Sequence, residues 1–334
     1  MDRPTINSLI ASLALLTLFA TSGRAAQDEE SAATLDTVLV TGEQTGPSLW
    51  KVSKDDHVLW ILGTYTPLPK KMTWRSVEVE NVMASSQAFL PSSVNVKADI
   101  GFFKGLTLLP SLIGVRDNPD DKKLKDVLPP ELYDRWSVLK TKYIGRDKSV
   151  EDWRPIFAAL ELYTKALEKS GLEPRSQLEG AVAKLAKKSK LEDIEPTIKI
   201  NIEKPRAAIK EFKKSSLDDV DCFAKTIERL ETDLELMRTR ANAWAHGDVE
   251  TLRNMTHVNQ VTACINAVMN SSLVQERGYD KLPEQISAMW MDAAESALSK
   301  YRSTLTMQPV GTLLDEQGIL KQFRDKGYTV VEPK

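Results

Sequence analysis

Two short runs near the start of the ordered pattern, LWKVSK and HVLWILGT, alternate apolar and polar residues around KDD. That is the period of a strand with one face on a core, and the acidic pair between the runs reads as a hairpin turn. The second run ends in Gly-Thr and a proline-rich loop, so that residues 49–69 read LWKVSKDDHVLWILGTYTPLP. From Trp74 the spacing becomes helical in WRSVEVENVMASS, and QAFLPSSV then predicts a short buried strand broken by Pro91. A long helical region follows. PPELYDRWSVLKTKY opens with prolines at a helix start, WRPIFAALELYTKALEKSG ends at a capping Gly171, and LEGAVAKLAKKS is a third helix. LEDIEPTI predicts a strand around Ile194. The stretch from Ser216 to Asp248 reads as one long amphipathic helix with Ser216 as its N-cap. Asp248 caps VETLRNM, residues 281–301 form another helix, and the end of the chain reads strand, loop, helix, strand.

Strands therefore sit near both ends and helices between them. The fold class this predicts is α/β (α+β), with a mixed central β-sheet built from N- and C-terminal strands, a large helical insertion and flanking helices. No internal repeat is visible, and no strong linker interrupts residues 48–334, which are expected to form one domain.

Composition changes this picture little. Among 334 residues, 42% are apolar and 28% charged, with a net charge of -2. That balance gives no reason to expect a nucleic-acid or anionic-membrane partner, since either favours a basic surface. Lysine runs such as KLAKKSK at 184–190 read as solvated helix faces.

The first residues change it more. Arg3 precedes an apolar run from Leu9 to Ala20, followed by small residues and acids. This is the pattern of a secretory signal peptide over residues 1–25, with cleavage near Ala25, and the run is too short for a membrane span of roughly 20 residues. Residues 26–47 are expected to be a flexible leader. The mature protein is then periplasmic or secreted, with no later membrane span. Export favours a bridge between the two cysteines, Cys222 and Cys264, and two unpaired buried thiols is the alternative.

Taken together, LWKV…HVLWILGT…LP, WRPIFAALELYTKALEKSGL, AWAHGDVETLR and GILKQFRDKGYTVVEP resemble the TraB/GumN family, relatives of the Tiki metalloproteases, over residues 48–334. The resemblance implies two GxxH motifs and an acidic residue forming a metal-dependent hydrolytic site. Here the first motif matches Gly63, Thr64, Tyr65 and Thr66, with Thr66 at the histidine position. The acidic position matches Pro91. The second motif matches Pro309 to Thr312, with Thr312 at its histidine. A catalytic zinc needs three ligands drawn from His, Cys, Asp or Glu, and none of Thr66, Pro91 and Thr312 supplies one. The chain thus resembles a divergent member in which no metal and no other cofactor is expected.

Arg277 matches an arginine that the family places before its last long helix, although Gly278 stands where asparagine is usual, and Glu195 matches the glutamate of a family LE strand. An internal ion pair or a surface pair is the plainer reading of both. Tyr65, Thr66, Glu195, Arg277 and Thr312 make up the candidate pocket. The histidines are His57, His246 and His257; none has HExxH spacing, and neither GxSxG nor a phosphate loop occurs. The tryptophans Trp50, Trp60, Trp74, Trp136, Trp153, Trp244 and Trp290 read as core or groove lining, with Trp74 the best rim candidate.

Three functions follow as expectations. The first is a catalytically degenerate envelope protein that binds a peptide, glycan or protein. The second is a hydrolase of the peptidase or esterase type, either metal-dependent or with a rearranged site built on Tyr65, Glu195 and Arg277. The third is a structural homo-oligomer with an exposed apolar patch on the 216–243 or 281–301 helices.

Overall fold

Strand β1 (Leu49–Lys54) turns at Asp55 and Asp56 into β2 (His57–Thr64), pairing antiparallel from Leu49↔Leu62 to Lys54↔His57. Asp55 takes the left-handed conformation (φ 54°) that a short polar side chain tolerates best after glycine. These are the elements of a computed structural model that describes residues 46–98, 107–173, 177–255 and 260–333. The expected signal peptide with its cleavage near Ala25, residues 26–45 of the leader, and His257 lie outside the described residues.

Four further strands complete the sheet: β3 (Ala88–Leu90), β4 (Glu192–Asp193), β5 (Ser303–Pro309) and β6 (Thr329–Val331). Their order is β6-β1-β2-β5-β3-β4. The sheet is mixed, as expected. β6 and β1 run antiparallel to their neighbours, whereas β2, β5, β3 and β4 are mutually parallel. Parallel strands are covered on both faces, which explains why β2 and β5 are almost continuously buried rather than half-exposed. Two small two-stranded sheets, Leu68–Pro69 with Leu172–Glu173 and Asn95–Ala98 with Thr197–Ile200, lie apart from it.

The principal helices are α1 (Val77–Ser85), α2 (Pro130–Tyr143), α3 (Pro155–Lys169), α4 (Gln177–Lys188), α5 (Val220–Thr232), α6 (Leu234–Ala245), α7 (Val249–Asn254), α8 (Gln260–Met269), α9 (Leu282–Lys300), α10 (Val310–Leu314) and α11 (Ile319–Asp325). They build two main apolar cores. Trp50, Ile61, Leu305, Trp244, Trp290 and Phe323 belong to the core around the sheet. Trp136, Leu162, Phe223 and Ile227 belong to a helical core formed by α2, α3 and α5. The Trp136 and Phe223 rings meet there at 5.3 Å.

Several local expectations are met. Gly171 follows α3 with φ +73°, as a left-handed C-terminal cap requires. The Asp248 carboxylate accepts the Thr251 amide at 2.9 Å and starts α7. Cys222 of α5 and Cys264 of α8 are bridged, with Cα atoms 4.5 Å apart.

Others are corrected. The stretch expected as one long helix is two, α5 and α6, broken at Asp233, whose carboxylate is drawn into a buried ion pair. The residue before α5 is Asp219, not Ser216, and its carboxylate reaches across to accept the Ile156 amide at the start of α3. Burial pushes the Asp219 carboxyl above its ordinary range. LEDIEPTI supplies two short strands that pair with different partners. The helix expected from Trp74 starts at Val77, and Trp74 itself is half-buried and packs against the Trp244 ring at 6.1 Å. The loop expected after β5 contains α10.

Candidate functional site

Because β2, β5 and β3 are parallel neighbours, their carboxyl ends meet at one edge of the sheet. This is the edge at which open α/β sheets most often bind ligands. Gly63 pairs with Gln308, Thr64 with Pro309, and Leu90 with Thr306. The backbone therefore carries Thr66, Thr312 and Pro91 out of the sheet at the same edge.

The geometry around Gly63 is tight. A Cβ at this position would collide with the Trp50 ring and lie 2.9 Å from Val310 Cγ2. The Gly63 carbonyl accepts a hydrogen bond from Trp244 Nε1 at 2.7 Å. The strand end is thus held by Trp50 of the neighbouring β1, by Val310 of α10 and by Trp244 of α6.

Beyond this edge opens a cavity of about 770 Å³. Thr64, Tyr65 and Thr66 from the loop after β2 line it, together with Pro309, Val310 and Gly311 from the end of β5 and α10. The opposite wall comes from the helical region: Leu160 of α3, and Val261, Ile265 and Val268 of α8. Leu160 and Val261 remain more than half exposed, at 58% and 59%, so this wall is apolar surface facing an open space.

The polar groups concentrate at one end. Arg240 of α6 donates from both terminal nitrogens to the two oxygens of Asp233, at 2.8 and 2.7 Å, in a fully buried bidentate pair. Arg229 of α5 also faces Asp233, with Nε 3.7 Å from Oδ2. Its guanidinium lies 5.5 Å from the Tyr163 ring centre. Tyr65 is hydrogen-bonded to Arg240, and burial pushes the phenol above its ordinary pKa, so it keeps its proton at neutral pH.

The sequence-derived site residues divide among three places. Tyr65 and Thr66 line the large cavity, and Thr312 belongs to the same short helix as the lining residues Val310, Gly311 and Leu314. Glu195 instead lines a second cavity of about 340 Å³, with Pro91, Asn95, Lys187 and Asp193. Arg277 forms an ion pair with Glu211 at 2.8 Å and touches neither cavity. His57 bonds the Tyr301 carbonyl at 2.9 Å, and His246 bonds the Asn242 carbonyl at 2.7 Å.

Arg229, Asp233 and Arg240 escaped the sequence reading. Their spacing of four and seven residues, which puts charges on one helix face, was the available signal.

The residues at this edge do not fit a divalent metal. Pro91 has no side-chain donor, Thr66 and Thr312 offer neutral hydroxyls, and the Asp233 carboxylate beside the loop is taken up by Arg240, with Arg229 close by to repel a cation. Among the described residues no group of three His, Cys, Asp or Glu side chains is placed to hold an ion.

No curated protein and no solved structure was found to match the chain. Its sequence matches the model of the TraB/PrgY/gumN family over residues 48–332, nearly the whole of the described fold, and the chain belongs to that family.

Proposed function

We propose that this chain is an exported, catalytically silent member of the TraB/PrgY/gumN family, residues 48–334 forming one domain that binds a ligand at the carboxyl edge of its sheet. One observation carries the reading. The three positions where the family resemblance puts metal ligands, Thr66, Pro91 and Thr312, emerge at one sheet edge with no ligating side chain among them. Next to that edge lies a cavity within the roughly 300–1,000 Å³ range of small-molecule sites, lined by apolar side chains with a few polar groups at one end.

A rearranged hydrolase needs Tyr65, Glu195 and Arg277 in one place, and they are distributed among three. A structural homo-oligomer built on the 216–243 or 281–301 helices has little support either. Leu236 is the exposed large apolar residue on them, while the apolar exposure gathers on α8. Export is supported by the leader pattern of residues 1–25 and by the Cys222–Cys264 bridge. Among the described residues no helix is long and apolar enough to cross a membrane.

The test is elemental analysis of the purified mature protein after loading with zinc, manganese and cobalt and then dialysis, followed by peptidase and esterase assays. Near-zero metal and no turnover is the expected result. Stoichiometric metal with turnover abolished by chelation would overturn the reading.

A further inference from the structure

The charges at the polar end of the large cavity do not balance locally. Asp233 is the acid shared by two arginines. Arg240 occupies both of its oxygens at hydrogen-bond distance, which leaves Arg229 a longer contact of 3.7 Å. Arg229 is 8% exposed. Its remaining polar contact is a 3.4 Å hydrogen bond to the neutral Gln260 amide oxygen, and its Nε has no hydrogen-bond partner among the described residues. A buried guanidinium held this loosely is costly unless something negative reaches it. Glu179 of α4 also lines the cavity and is half-buried. Arg240, Arg229 and Asp233 act on Tyr65, and these three side chains sum to one positive charge, with Glu179 the further carboxylate on the cavity lining.

The rest of the cavity has the opposite character. Leu160, Leu252, Val261, Ile265, Val268 and Met269 form a continuous apolar wall beyond Arg229. Four of these belong to α8, which the Cys222–Cys264 bridge fastens to α5, the helix that carries Arg229. One rigid unit thus presents a cation at one end and an apolar trough behind it.

We propose that the cavity binds a single-chain amphiphile with a carboxylate head, a fatty carboxylate, with its head between Arg229, Arg240 and the Tyr65 hydroxyl and its chain against α8 and Leu160. Three features select this chemistry. The Arg229, Arg240 and Asp233 group carries one positive charge, and with the Glu179 carboxylate also on the lining a monoanion fits better than a dianionic phosphate. A guanidinium presents its donors in the fork that a planar carboxylate accepts. The apolar wall buries the chain, at about 25 cal/mol for each Å² removed from water. This rests on the binding-protein reading and gives its ligand a class.

The experiment is calorimetric titration of the mature, disulfide-bonded protein with decanoate, 1-decanol, decyltrimethylammonium, decyl phosphate and acetate. Decanoate is expected to bind at one site, at least about tenfold more tightly than each of the others. Arg229→Gln is expected to remove the preference for decanoate over decanol. Leu160→Asp, at an exposed position where folding tolerates a charge, is expected to abolish binding of every decyl compound and keeps the test decisive if the arginine variant does not fold. Decanol, decyltrimethylammonium or decyl phosphate binding as tightly as decanoate would overturn the proposal. So would the absence of decanoate binding, or a dimer that covers Leu160 and Val261 and excludes decanoate. A metal-loaded, hydrolytic protein would overturn the proposed function whatever decanoate does, whereas a metal-free protein indifferent to decanoate overturns only this inference.

Discussion

The indole of Trp244 donates a hydrogen bond to the carbonyl of Gly63 at 2.7 Å, across 181 residues of chain. This bond locks the end of β2 to α6, and with it the loop that carries Tyr65 and Thr66 to the helix that carries Arg240. Trp244→Phe keeps most of the ring packing but leaves a buried carbonyl without its partner. It should cost about 1–3 kcal/mol in chemical denaturation. A loss below a few tenths of a kcal/mol would mean that water replaces the indole.

Gly63 is restricted from two sides at once. Gly63→Ala places a methyl group against the Trp50 ring and Val310 in a fully buried layer. Overpacking of this kind should destabilise the protein by roughly 1–3 kcal/mol. Relief by the compensating Val310→Ala in the double variant, read as a lower combined cost than the sum, would confirm that the two contacts are one steric problem.

The ion pair of Asp233 and Arg240 supports the cavity floor. Asp233→Asn leaves two buried guanidiniums without a counter-charge and should cost about 3–5 kcal/mol. The triple variant Asp233→Leu, Arg240→Met, Arg229→Met should recover most of that loss, because it removes the carboxylate together with both guanidiniums that face it, whereas Asp233→Leu, Arg240→Met still leaves Arg229 buried without a counter-charge and should recover only part of it. Equal damage from the single and triple variants, measured by urea midpoints, would show that packing and not charge dominates here.

The Cys222–Cys264 bridge closes a separation of 42 residues. Replacing both cysteines with serine should lower stability by about 2–5 kcal/mol. It should also loosen α8, since Cys264 lines the cavity wall. Paired denaturation curves with and without reductant check the first effect. Near-ultraviolet circular dichroism of the reduced protein checks whether the aromatic core persists.

The Asp248 cap has a pH signature. The hydrogen bonds from Thr251 hold its carboxyl below the ordinary value. A group whose pKa is depressed by folding stabilises the fold above its unfolded value of about 3.9, and that contribution is lost as pH falls through the lower, folded value. Asp248→Ala should therefore cost about 1 kcal/mol at neutral pH, with the difference from the parent protein shrinking as pH falls below about 4. A difference independent of pH would assign the cost to backbone propensity alone.

Much of this architecture is a local matter, and the sequence determined it by itself. The β1–β2 hairpin, the proline-led starts of α2 and α3, Gly171 after α3 and the Asp248 cap each depend on residues a few positions apart, so their physics is contained in a short window. The mixed sheet with strands from both chain ends follows from where the alternating and helical periods fall. The family resemblance also needed only the order of short strings.

Tertiary structure decided what depends on distant residues meeting. The break at Asp233 arises because its carboxylate binds Arg240, and a buried ion pair outweighs the small gain from continuing one helical turn. The separation of Glu195 and Arg277 from Tyr65 follows from strand order. Glu195 lies beyond β4, at the far edge of the sheet from β1, and Arg277 lies in the helical region beside Glu211. The apolar face of α8, Val261, Ile265 and Val268, has the helical spacing that core faces also have. It becomes a cavity wall because the bridge to Cys222 fixes the helix with Val261 and Ile265 exposed. Burial is a property of the assembled chain, and no local pattern specifies which apolar stripe will be left uncovered.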